Sequence, residues 1–336
     1  MTELEILENR AEGNDPEAIC ELAWRYRQGD GVARDDAKAF KLFERAASLG
    51  DLVALNHVGL CYADGVGVKR DDALACRYYR QAAEKGLAAA QNNLGWAYLN
   101  GLGVKKSVGA ATRWFRKAAD QGLTQAQNNL AYCYQHGVGV KRDPAEANRW
   151  YQAAAEAGLT EALVNLAWNY MTGVGHPVDY LGASSLLEKA VAADIPSAKS
   201  NLAYLLRNGL GVERDLTRAF SLYKSAADQG FPEAFGPLAE CYEFGEGVPE
   251  NAYLALQYYK RAALAGDARA AQRCRELASV EARPLASSLS RNPEKKTEHV
   301  DFSLRDAIAR KENAERRAAW KAQKEKERQE KAKDAE

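Results

Sequence analysis

Long apolar runs are missing from this chain. No stretch approaches the roughly 18 to 20 unbroken apolar residues that cross a bilayer, so no membrane insertion is expected. The opening residues, MTELEILENR, hold three acids and no apolar core, and no secretory leader is expected there. Cysteine occurs six times but never as paired CxxC, which leaves neither a zinc site nor a disulfide framework. The histidines, His57, His136, His176 and His299, fall at no metal-ligand spacing. HExxH, GxSxG and GxxxxGK[ST] are all absent. These absences leave no cofactor, metal or catalytic residue to expect, and a cytoplasmic protein with reduced thiols is the simplest setting. Excess charge of one sign is lacking too: 46 Lys and Arg face 46 Asp and Glu. Residues 291–336 carry 14 basic against 11 acidic side chains, a mixed surplus too weak to imply nucleic acid or a membrane surface.

Glycine, by contrast, is placed with regularity. The string GVGVKRD stands at 65–71 and again at 137–143. Two glycines around a small residue, followed by basic side chains, suit either a phosphate-binding loop or a tight turn. GxG recurs at Gly29/Gly31, Gly65/Gly67, Gly101/Gly103, Gly137/Gly139, Gly173/Gly175, Gly209/Gly211 and Gly245/Gly247, always 36 residues apart. A phosphate loop is needed once, where its ligand sits. Seven evenly spaced copies mark a repeat architecture.

The rest of the unit keeps the same step. Ala18, Ala54, Ala90, Ala126, Ala162, Ala198, Ala234 and Ala270 form one column. The columns of Leu22 and Tyr26 follow it at i+4 and i+8, so the three share one stripe of a helix, called A. After the glycines a second helix, B, opens on Asp35, Asp71, Ser107, Asp143, Asp179, Asp215 or Asn251, all residues able to accept an orphan amide bond. Its apolar stripe reads Ala39, Leu42, Phe43, Ala46 in the first unit and Ala75, Tyr78, Tyr79, Ala82 in the second. Gly50, Gly86, Gly122, Gly158, Gly230 and Gly266 close it. GxG is therefore the turn of a helix pair. Cys61, Cys133 and Cys241 share a column beside the tyrosines and read as buried small hydrophobes.

The pattern AxxxLGxxYxxGxGVxxDxxxAxxxYxxAAxxG, present at 54–86 as ALNHVGLCYADGVGVKRDDALACRYYRQAAEKG, resembles the Sel-one-like repeat (SLR) family, kin of the tetratricopeptide repeats. The resemblance covers about residues 3–280. It implies an all-α, right-handed α-solenoid superhelix of seven 36-residue helix-turn-helix repeats with half-repeat caps. Residues 4–14 align with a lone helix B and 267–280 with a lone helix A. Residues 281–301 read as a flexible linker. Residues 302–336 read as a charged helical or disordered tail, either solvated or docked on the groove or a partner. In the fifth unit His176–Pro177, Gly182 and Asp194 break the pattern, which reads as a softer joint or as drift in a tolerant loop.

Function has one place to sit. Columns 17, 20, 21, 24 and 28 of helix A lie opposite its core stripe. Asn93, Asn129, Asn165 and Asn201 occupy column 21, and Trp96, Tyr132, Trp168 and Tyr204 occupy column 24. Each Asn stands three residues before its ring, so the four pairs form a ladder of amides and aromatics. Such a ladder suits capture of an extended peptide backbone. It equally suits bonding and packing between neighbouring repeats. The resemblance implies a protein-interaction scaffold or adaptor, in a family frequent in bacteria, with a protein or peptide partner. An immunity or antitoxin-type inhibitor is the alternative from another class. A hydrolase would need an acid–base pair that the sequence does not cluster.

Overall fold

The computed structural model describes residues 2–281. Within them the chain forms sixteen α-helices, one short 3-10 turn and no strand. Apart from Glu281, the expected linker and tail lie outside the described residues. The A helices are α2 (Pro16–Gln28), α4 (Leu52–Asp64), α6 (Ala88–Asn100), α8 (Thr124–His136), α10 (Thr160–Thr172), α12 (Pro196–Asn208) and α14 (Phe235–Phe244). The B helices are α3 (Asp36–Ser48), α5 (Asp72–Glu84), α7 (Val108–Ala119), α9 (Pro144–Glu156), α11 (Tyr180–Ala192), α13 (Leu216–Asp228) and α15 (Ala252–Leu264). A lone α1 (Glu3–Glu12) precedes them and a lone α16 (Ala268–Glu281) follows. Each helix packs chiefly on its neighbours in the chain, the arrangement of an α-solenoid.

The helix ends are written in the sequence. Every A helix of the seven units stops at the first glycine of GxG, in the left-handed region with φ from 63° to 76°. Every B helix starts at the expected cap, whose side chain accepts an amide three residues on. The caps' own backbone amides reach back to helix A. Asp35, Asp71, Ser107, Asp143 and Asp179 donate at 2.9 Å to the carbonyls of Tyr26, Tyr62, Tyr98, Tyr134 and Tyr170. One bond thereby fixes how B leaves A in each of these units.

The second glycine has a different task. A Cβ on Gly67, Gly103, Gly139, Gly175, Gly211 or Gly247 would run into backbone at the start of the preceding unit's helix B, at Asp36, Asp72, Val108, Pro144, Tyr180 and Leu216 in turn. Gly31, in the first unit, has nothing within 4 Å. The turn of one repeat thus lies directly on the helix of the repeat before it. Side chains reinforce the contact: Cys76 Sγ, Thr112 Oγ1 and Asn148 Nδ2 donate to the carbonyls of Leu102, Val138 and Val174, the middle residues of the next turns. The core between units is filled by the alanine columns and by Phe43, Tyr79, Phe115, Tyr151, Leu187, Tyr223 and Tyr259, all buried. Each such large side chain contributes about 2–3 kcal/mol of apolar burial.

Two units depart from the norm. In the fifth, α11 runs unbroken through Gly182, whose amide receives the Asp179 cap at 2.8 Å. Asp194 replaces the closing glycine and still takes φ 63°. Its carboxylate pairs with the ammonium of Lys199, which is only 5% exposed, and accepts from Gln229 at 3.2 Å. Lys199 also donates to Ser225 at 2.9 Å, so the junction expected to be soft carries a polar latch. In the seventh unit Pro237 has no amide to give, and helix A opens with a 3-10 turn at Pro232–Ala234 before α14.

The two roles of glycine predict unequal costs. Gly31→Ala and Gly103→Ala both force an L side chain into the left-handed region, a cost of about 1–2 kcal/mol. Gly103→Ala also drives a methyl into the Asp72 backbone and is expected to lose about 2 kcal/mol more. Urea denaturation of the two variants checks this; equal losses would show that the inter-repeat approach contributes nothing.

Candidate partner-binding face

The asparagines of column 21 bond across the repeats. Asn93 Nδ2 donates to Asn56 Oδ1 at 2.9 Å, Asn129 to Asn92 at 2.9 Å and Asn165 to Asn128 at 3.0 Å. Each amide in column 21 holds the column 20 amide of the unit before. The sequence carries the signal for this as the pairs Asn92–Asn93 and Asn128–Asn129, which place two amides side by side on helix A. Val164 ends the column 20 run, and Asn201, one unit further on, is buried.

The rings of column 24 sit beside this ladder and differ in exposure. Trp96 is 51% and Tyr132 47% exposed, whereas Trp168 and Tyr204 are half-buried. Column 28 braces the end of each A helix: Asn100, Thr172 and Asn208 donate to the carbonyls of Trp96, Trp168 and Tyr204 at 2.9, 2.7 and 2.7 Å. His136 instead packs on the Tyr132 ring, centroids 4.4 Å apart. The structure therefore brings the eight residues of columns 21 and 24 onto one face and leaves two neighbouring rings, Trp96 and Tyr132, open to solvent.

The face closes differently at its two ends. At the first, Trp24 Nε1 donates to His57 Nε2 at 3.2 Å, and the Arg27 guanidinium lies over the indole at 5.6 Å. Burial, helped by Arg27, pulls the His57 pKa down from 6.5 to about 4, and its Nδ1 is buried with no hydrogen-bond partner. At the other end Glu240 takes the ring position. It binds Arg207 at 2.6 Å, and Glu246 binds the same guanidinium at 2.5 Å. Rings at the centre give way to an ion-pair network.

One hollow opens on this face, about 290 Å³, between the second and third units. It follows from two small residues meeting. Ala63 stands where the other units carry Arg27, Leu99, Gln135, Met171, Arg207 and Glu243, and Ala97 is the smallest residue of its own column. Leu60, Asn93 and Trp96 form part of its wall, with Asp64 beside them. Sequence columns had shown neither alanine as notable, because a gap is visible only when two units are stacked.

Cys61, Cys133 and Cys241 are buried, and burial raises all three thiols, Cys241 to about 12. Such thiols are poor nucleophiles at neutral pH. Among the described residues no three His, Cys, Asp or Glu side chains gather as metal ligands, and no helix is long and apolar enough to cross a membrane.

The model of the Sel1 repeat matches seven times, over residues 16–51, 52–87, 88–123, 124–159, 160–194, 196–231 and 238–267. The chain belongs to the Sel1 repeat family. Its fold is similar to that of a protective antigen of uropathogenic Escherichia coli with an SLR fold: TM-score 0.72 and 32% identity, over 84% of this chain and 60% of that one. The chain thus spans 60% of the length of that relative. A Sel1 repeat protein from Oxalobacter formigenes is also similar, with TM-score 0.63 and 30% identity, over 81% of this chain and 79% of the other. No curated protein matches.

Two outcomes are expected. Asn129→Ala strands the Asn92 carboxamide and lowers stability by about 1 kcal/mol, while Trp96→Ala, at a half-exposed ring, stays within about 0.5 kcal/mol of wild type in chemical denaturation. The His57 site makes stability depend on pH. Between pH 6.5 and about 4 the unfolded chain binds a proton that the folded chain refuses, so stability declines as pH falls through that window and levels off below it. His57→Asn, the residue of that column in the next four units, should flatten this slope in a series of melting curves; an unchanged slope would assign the acid sensitivity elsewhere.

Proposed function

We propose that this chain is a scaffold that holds a peptide segment or a domain of a partner protein on the helix A face. Sel1 repeat proteins are generally protein-interaction scaffolds, which gives the class. The observation that supports the location is the exposure of Trp96 and Tyr132 on adjacent units. Two large rings in one column lose apolar burial in the free protein, and aromatic anchors of this kind carry much of the energy of protein interfaces. The amides beneath them are already bonded to each other, so they act as a rigid bed, and the rings supply the contact. Six free cysteines, five of them buried, support a cytoplasmic setting.

Photo-crosslinking in the producing cell tests the location. A benzophenone side chain in place of Tyr132 should trap discrete protein adducts. The same group in place of Tyr253, a 68% exposed ring on α15 away from the face, should not. Identical adducts from both positions, or none from position 132, would sink the reading.

A further inference from the structure

A hollow in the scaffold face sets a preference for what enters it. Leu60, Ala63, Ala97 and Leu102 give the hollow apolar sides, and the Trp96 indole forms a wall. Asp64 stands at its rim with a side chain 56% exposed, and its ion pair with Arg27 is stretched to 4.0 Å. The other charges of the lining, Arg70 and Asp72, hold each other through two bonds of 3.0 and 3.1 Å. The weakly compensated charge in the hollow is therefore negative. The wider face agrees. Columns 17, 20, 21, 24 and 28 contain Glu17, Glu21, Asp64, Glu161, Glu233 and Glu240 and no Lys or Arg in seven units, although Glu21 and Glu240 are paired with Arg25 and Arg207 of neighbouring columns.

We propose that the hollow between the second and third units seats an arginine side chain of an extended, basic partner segment. The aliphatic stem would lie against Leu60 and Ala97, the guanidinium plane against the Trp96 ring, and its N–H fork on the Asp64 carboxylate. Lysine offers a point charge without the plane that the indole wall favours. An acidic segment would meet Asp64 as a like charge at the hollow. The hollow is specific to this junction. One unit further on, Leu99 and Asn100 replace Ala63 and Asp64, which removes both the space and the charge. This inference rests on the partner-binding reading above and names the chemistry of the partner.

Randomised peptides displayed on their own mRNA and selected on the immobilised full-length protein give the test. The enriched peptides are synthesised and titrated by fluorescence anisotropy. The expected result is an arginine at one fixed position. Replacing it by alanine in the peptide, or Asp64→Asn in the protein, should weaken binding at least about tenfold, and added salt should weaken it further. Ala63→Leu fills the hollow with the side chain that the third unit carries. It should abolish binding while the melting temperature holds or rises, so loss of fold cannot account for the effect. Lysine enriched equally with arginine would overturn the stacking on Trp96 and with it the assignment to arginine. Peptides without basic residues, insensitive to Asp64→Asn and Ala63→Leu yet weakened by Tyr132→Ala, would overturn the inference and leave the groove reading standing. No enrichment over the display background would sink both.

Discussion

Everything in this array depends on how closely one turn approaches the helix of the unit before it. The second glycine of GxG brings main chain against main chain, at Gly67 on Asp36, Gly103 on Asp72 and so on to Gly247 on Leu216. No side chain intervenes, so packing choices elsewhere cannot adjust the distance. The period of 36 residues follows from it: an extra residue in either helix would carry the glycine off its seat and rotate the next unit out of line. The alanine columns serve the same constraint, since larger residues there would push the helices apart. The polar bonds from Cys76, Thr112 and Asn148 to the next turn secure an approach that the backbone already dictates.

Because these rules recur, the fold was legible in the sequence. Caps, glycine stops and the apolar stripes of both helices are local signals, repeated with one step, and the structure puts each where the columns place it. The sequence reading weakened wherever a result depends on two units together. Gly182 looked like a helix breaker, yet the Asp179 cap on its amide carries α11 through. Asp194 looked like a loosened end, yet the buried ammonium of Lys199 makes it a tied one. The Asp179 cap is an i, i+3 contact that the column of caps already marked; the Lys199 partner lies in the next unit, in no column shared with Asp194.

The candidate face shows the same division. That Asn and aromatic columns run side by side was legible; that the asparagines spend their amides on Asn56, Asn92 and Asn128 was not. The ladder stiffens the surface on which the rings stand, which lowers the ordering cost of any contact the rings make. Exposure then separates Trp96 and Tyr132 from Trp168 and Tyr204, although the four look alike in sequence. At the margins the column turns inward, to His57 under Trp24 and to Arg207 between two glutamates. The open part of the face is thus confined to the middle units.

At the junction of the fourth and fifth units a chain of amides runs through the core. Asn169 donates to Asn148 at 2.7 Å, and Asn148 donates to the carbonyl of Val174 at 2.9 Å. Asn169 is fully buried, and its Nδ2 is answered by Asn148 while its Oδ1 has no partner. At the same position of the other junctions the partner would be Phe40, Cys76, Thr112, Ser184 or Phe220. The repeats look interchangeable in outline, but no other of these junctions offers a carboxamide at the position of Asn148. The junctions are thus alike in shape and differ in what their interiors bond.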